Sequence, residues 1–172
     1  MPTFTTSASL AELVTHIQTN HHARLRTDLK RLARLTAEAI SKAGPHQAAL
    51  QQSAALLARF TAEMLPHLDH EELVVFPLIL AIERGGPEAE SAYRQLAAQV
   101  ADLEAAHTET GAELDELHRI CDMVPAPTDA EPLLAELLDA YAEVITDTHR
   151  HVALENEVLM PRALALASAK RA

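Results

Sequence analysis

From a capping box at Ser9-Leu10-Ala11-Glu12, the apolar residues Leu13, Ile17, Leu25, Leu29, Leu32 and Leu35 return at mostly helical spacing and mark out one stripe. Gly and Pro interrupt the chain at Gly44-Pro45, Gly85-Gly86-Pro87 and Pro125-Ala126-Pro127, leaving four long segments. The pattern predicts helices over about 9–43, 46–84, 87–123 and 128–167. Pro87 suits the first position of the third helix, with Glu88 and Glu90 near the positive end of its dipole. Thr128-Asp129-Ala130-Glu131 reads as a second capping box opening the fourth. Pro66, Pro77 and Pro161 fall inside the second and fourth segments, where each should bend or end its helix, so the fourth is expected to finish close to Pro161. Short connections between long helices make neighbours antiparallel. The expected architecture is therefore an all-α, up-down-up-down four-helix bundle forming a single domain over residues 1–172.

Composition narrows the classes. Aromatic residues make up 3% of the chain and Trp is absent, too few aromatic and β-branched residues for a large sheet. The formal net charge of −11 argues against nucleic acid and anionic membranes as main partners. No apolar run approaches the roughly 20 residues of a membrane span. MPTFTTSASLAELV at the N-terminus lacks a basic region and a long apolar stretch, so no signal peptide is expected. Cys121 is the single cysteine and can form no internal disulfide, which is compatible with a reducing cytoplasm. Ten histidines are the one compositional oddity.

The histidines fall into a pattern. HLDHEELVVFP at 67–77 is matched by HVALENEVLMP at 151–161: a His, a Glu four residues on, a polar residue, an apolar run, then a Pro. His67 and His151 lie 84 residues apart, and His22 and His107 lie 85 apart. Measured from the turns, His22 is 22 residues before Gly44 and His67 is 22 after Pro45. His107 is 20 after Pro87, and His151 is 23 after Thr128. At about 1.5 Å of rise per residue, the four histidines share one mid-bundle level to within roughly 3 to 8 Å. Glu71 and Glu155 sit one turn on from His67 and His151, on the same face. A lone buried His is usually a hydrogen-bonded core residue, and a lone His-x-x-x-Glu is usually a surface ion pair. Four histidines at one depth with the Glu duplicated in frame fit a metal site better, because burying so many polar groups is costly unless something pairs them. Four imidazoles and two carboxylates suit two metal ions, each carboxylate bridging; without sulfur the donor set favours iron, then manganese or zinc. The metal ligands expected are thus His22, His67, Glu71, His107, His151 and Glu155. His16, His21, His46, His70, His118 and His149 are read as non-ligands, and Tyr93 and Tyr141 as packing residues.

These stretches resemble a known family. HLDHEELVVFPLI and HVALENEVLMPRAL are similar to the two HxxxE motifs of hemerythrin-like (HHE cation-binding) domains, and more specifically to those of the repair of iron centres family of di-iron iron–sulfur cluster repair proteins. HHARLRTDLKRL at 21–32 and LEAAHTETGAELDEL at 103–117 resemble that family's first and third His motifs, and the likeness runs from about Leu10 to Leu166. It implies a non-haem di-iron centre, oxo- or hydroxo-bridged, with His22, His67, His107 and His151 as iron-binding histidines and Glu71 and Glu155 as bridges. It also implies restoration of iron–sulfur clusters damaged by nitric oxide or oxidants. The partners would be damaged iron–sulfur proteins and the diatomics NO and O2. No catalytic side chain is singled out. The other function classes open to the sequence are a dioxygen or nitric oxide sensor or carrier without repair activity, and a redox-silent zinc protein or helical scaffold. The chain departs from the family in lacking a short N-terminal segment with a Cys pair, in Ala43 where the family often has His, in Pro66 beside His67, and in Lys30 where Pro is common. Four histidines instead of the five usual in oxygen-carrying hemerythrins count against dioxygen carriage.

Overall fold

The structure is a computed structural model that describes residues 8–42, 46–124, 128 and 131–169. It contains four helical rods: α1 over 10–42, α2 over 47–84, α3 over Ala89–Asp122 and α4 over 132–169. α1 packs on α2 and α4, and α3 packs on the same two, which closes an up-down-up-down bundle. No described helix is long and apolar enough to cross a membrane. The turn residues Gly44-Pro45 and Pro125-Ala126-Pro127 lie outside the described residues, as does Ala43.

The first capping box forms. The Ser9 side chain accepts from the Glu12 N–H, and the Glu12 carboxylate accepts from the Ser9 N–H at 2.7 Å. A second cap comes from far along the chain: Glu83, near the end of α2, accepts the Leu10 and Ala11 N–H groups at 2.6 and 2.9 Å. A carboxylate at a helix N-terminus satisfies free N–H groups and opposes the dipole. It also ties the start of α1 to the far end of its neighbour.

Three sequence expectations require correction. α3 begins at Ala89, not Pro87, because the tight Gly85-Gly86 turn closes with an Ala89 N–H to Gly86 O bond before the helix takes over. α4 begins at Pro132, not Thr128. Pro132 has the fixed φ and missing N–H that suit a first helical position, and the Glu131 carboxylate turns back to accept from the Thr128 N–H and hydroxyl. Asp129 and Ala130, the middle of the expected box, lie outside the described residues. α4 also runs through Pro161 to Ala169, and neither Pro66 nor Pro77 ends α2.

Both Pro77 and Pro161 follow a π turn. Such turns occupy Glu71–Val75 in α2 and Glu155–Leu159 in α4, closed by bonds from Phe76 N–H to Glu71 O and from Met160 N–H to Glu155 O. A π turn already interrupts the α ladder, so a proline directly after it loses less than one in a regular helix. A third π turn, Ile17–His22, lies in α1.

Two apolar slabs fill the bundle. One, at the end where α1 meets α2, includes Leu32, Phe60, Leu117, Leu137 and Tyr141. Tyr141 is buried with its hydroxyl 2.8 Å from Thr36 Oγ1, so it packs with its polar tip satisfied. The other slab includes Leu13, Ile17, Phe76, Ile79 and Leu96 at the Gly85-Gly86 end. Between the slabs lies a layer of buried polar side chains. Cys121 borders the first slab, and burial pushes its thiol up to about 12.

Gly86 in the turn and Gly111 in α3 should respond oppositely to Ala. Gly86 has φ of 85° and open space around its Cβ position, so Gly86→Ala is expected to destabilise by backbone strain alone, about 1 kcal/mol. Gly111 lies inside α3 with nothing within 4 Å, so Gly111→Ala is expected to stabilise by about 0.5–1 kcal/mol. Urea midpoints of the two variants check both signs. Cys121 should react with a disulfide reagent at pH 8 far more slowly in the native chain than in denaturant, as the absorbance of the released thiol would report.

A candidate metal centre between the two slabs

The polar layer consists of His22, Glu71, His107, His151 and Glu155, all buried, with His67 at its edge. Each rod contributes at one level. The α1 π turn ends on His22, while the π turns of α2 and α4 begin on Glu71 and Glu155. His107 comes from the middle of the long α3. Phe76 stacks on the His22 ring at 5.5 Å, so the apolar slab fixes the first imidazole.

The imidazoles form two pairs. His22 Nε2 faces His151 Nε2 at 3.0 Å, and His67 Nε2 faces His107 Nε2 at 3.1 Å. Both carboxylates reach from one pair to the other. Glu71 places Oε2 3.5 Å from His22 Nε2, and Oε1 3.3 and 3.4 Å from His67 and His107 Nε2. Glu155 places Oε2 3.1 and 3.4 Å from His151 and His107 Nε2, and Oε1 3.7 Å from His22 Nε2. Two sets of donor atoms thus lie within 4.8 Å of one another: His22, Glu71, His151 and Glu155, and His67, Glu71 and His107.

This arrangement fits metal ions on three counts. All four carboxylate oxygens of Glu71 and Glu155 are buried and accept no hydrogen bond. Such groups are costly unless a cation or donor pairs them. Two imidazole nitrogens bound at right angles to one ion, each at about 2.1 Å, would stand roughly 3.0 Å apart, the spacing of both pairs. The donors are imidazole and carboxylate, with no thiolate near. Burial opposes ionisation of Glu71, but the imidazoles of His107 and His67 outweigh it and hold its carboxyl well below the usual range. Burial likewise disfavours a charged His107, yet the Glu71 and Glu155 carboxylates prevail and raise its pKa. A carboxylate kept ionised in a dry layer, as Glu71 is, has the form a metal needs.

Outer partners orient two of the rings. His22 Nδ1–H donates to Glu72 Oε1 at 2.8 Å, and His107 Nδ1–H donates to Asn156 Oδ1 at 2.7 Å. Each bond leaves the Nε2 lone pair facing inward. Sequence reasoning missed both partners, although they occupy the same place in the duplicated stretch, directly after Glu71 and Glu155. His21, read as a non-ligand, nevertheless packs against the His151 ring. The His21 ring lies 5.8 Å from that of His151 and nearly parallel to it, with Nδ1 3.1 Å from Asp147 Oδ2. His16 is 5.2 Å from His21, because the widened π turn brings residues five apart onto one side. The other histidines stand apart: His70 bonds Gln99, His46 lies near Glu131, His118 near Asp122 and His149 near Asp115.

Comparison with known proteins agrees with this geometry. Residues 13–163 match the model of the hemerythrin HHE cation binding domain. The chain is 30% identical over 159 residues to a probable iron–sulfur cluster repair protein of Haemophilus influenzae, covering 92% of this chain and 67% of that protein. It is 30% identical to the iron–sulfur cluster repair protein YtfE of Cronobacter sakazakii and 28% identical to that of an Enterobacter species, in each case over 92% of this chain and 68% of the relative. With its fold, its buried His/Glu layer and a match over nearly its whole length, the chain belongs to the hemerythrin HHE cation binding domain family.

Proposed function

We propose that this chain holds two non-haem iron ions and acts in the repair of iron–sulfur clusters damaged by nitric oxide or oxidants. The observation that carries the reading is the pair of buried carboxylates, free of hydrogen bonds, each reaching toward both imidazole pairs. In this reading His22 and His151 would hold one ion and His67 and His107 the other, with Glu71 and Glu155 shared between them. The similarity to iron–sulfur cluster repair proteins supports the repair role. Iron bound there would supply positions open to diatomic ligands, and metal that can be passed on. The chain's own residues do the rest. Glu72 and Asn156 set the tautomers of His22 and His107, and Phe76 and the two slabs keep water from the layer. The acceptor would be a damaged iron–sulfur protein in the same compartment, the cytoplasm.

Glu71→Leu or Glu155→Leu is expected to lose at least one iron per chain while helix content stays near that of the parent, since an apolar side chain of similar size suits a buried site. Full iron retention in both variants, measured by metal analysis beside circular dichroism, would break the bridging assignment. His46→Ala should leave the metal content unchanged. For the repair role, iron-loaded protein is expected to restore activity to a nitric-oxide-damaged cluster enzyme. Restoration by free ferrous iron but not by the loaded protein would sink the role.

A further inference from the structure

We infer that the two halves of the centre hold metal unequally: the position between His22 and His151 retains its ion, and the position between His67 and His107 exchanges it. The inference rests on the dinuclear reading above and deepens it by naming the iron that would be handed on.

Two independent features point the same way. The first is a break in the repeat. Both hairpins follow a bridging Glu with a residue that accepts the Nδ1–H of the histidine on the neighbouring rod, but that residue is Glu72 in one and Asn156 in the other. Both fix the ring. Only a carboxylate also makes the imidazole a stronger donor to metal, because its charge stabilises the partial positive charge that metal binding creates on the ring. Arg26 anchors Glu72 at 3.4 Å and Asp69 at 2.7 Å, so the carboxylate is held in place. His151 Nδ1 is buried without a partner, which leaves Glu72 as the single hydrogen-bond acceptor behind the His22–His151 pair.

The second feature is closure. The His22 and His151 side chains are 0% and 1% exposed, and their cluster takes in both carboxylates. His67 is 14% exposed, against 0–1% for the five other residues of the layer. Solvent and a competing ligand therefore meet the His67–His107 pair first.

The test uses the full chain, loaded with two equivalents of ferrous iron without oxygen and mixed with an excess of a ferrous chelator. Release from the parent is expected in two phases of equal amplitude, with rates on the order of tenfold or more apart. Glu72→Gln keeps an acceptor and removes the charge; it should speed the slow phase by about tenfold and leave the fast phase alone. Asn156→Asp adds the missing charge and should slow the fast phase. In crystals treated with chelator until half the iron is gone, anomalous scattering should place the remainder between His22 and His151. Release of two irons in one phase would overturn the inequality alone, as would equal residual peaks or a Glu72→Gln variant that speeds both phases alike. Binding of fewer than two irons would overturn the dinuclear reading, and the inequality with it.

Discussion

Two carboxylates lie buried in the middle of this bundle without a single hydrogen bond, and the rest of the fold is arranged around that fact. An apolar core would be simpler to build. Here the core is split in two, and each slab closes one side of a polar layer one residue deep in each of two rods and two residues deep in the others. Excluding water serves two opposite ends. It raises the cost of the unpaired carboxylates and strengthens their interaction with any cation placed between them. The layer is poorly satisfied by protein alone, and what would satisfy it is positive charge at two points, each within reach of several donors.

The backbone bends to the same requirement. Each π turn places a buried polar residue at one of its ends: His22 last in one, Glu71 and Glu155 first in the others. Widening the helix there lets successive residues serve different tasks. Glu71 enters the layer while Glu72 reaches the back of a ring on the next rod, and Glu155 and Asn156 do likewise. A regular α-helix spreads neighbours about 100° apart and offers no such freedom.

This explains which parts of the molecule were legible in the sequence. Counting residues from the breakers was enough to bring six side chains to one depth, since each π stretch is one short turn and changes the length of its rod only slightly. Period is less forgiving. Reading every turn as 3.6 residues hid the π turns and put the end of α4 close to Pro161. Their real signal was Pro77 and Pro161, each six residues after a ligand-position Glu, in a place where a helix tolerates them. Helix starts were misjudged by a few residues for a different reason: Pro132 and the Gly85-Gly86 turn outrank a capping box whose carboxylate can close a turn as readily as a helix. The Glu83 cap could not be read at all, because it joins residues more than seventy apart.

The near repeat of the two hairpins also carries its own limit. An ideal repeat would give two equivalent metal positions, and a protein meant to part with one ion gains nothing from equivalence. Removing either ion would then disturb the layer as much as removing the other. A charge behind one histidine and an amide behind its counterpart breaks that tie without moving any inward-facing donor. The slabs above and below are two separate apolar clusters, each packed largely on its own residues. On the proposed reading, stability resides in the apolar ends and exchange in the polar middle. The single-residue difference between Glu72 and Asn156 is the smallest change of charge that could make that middle directional.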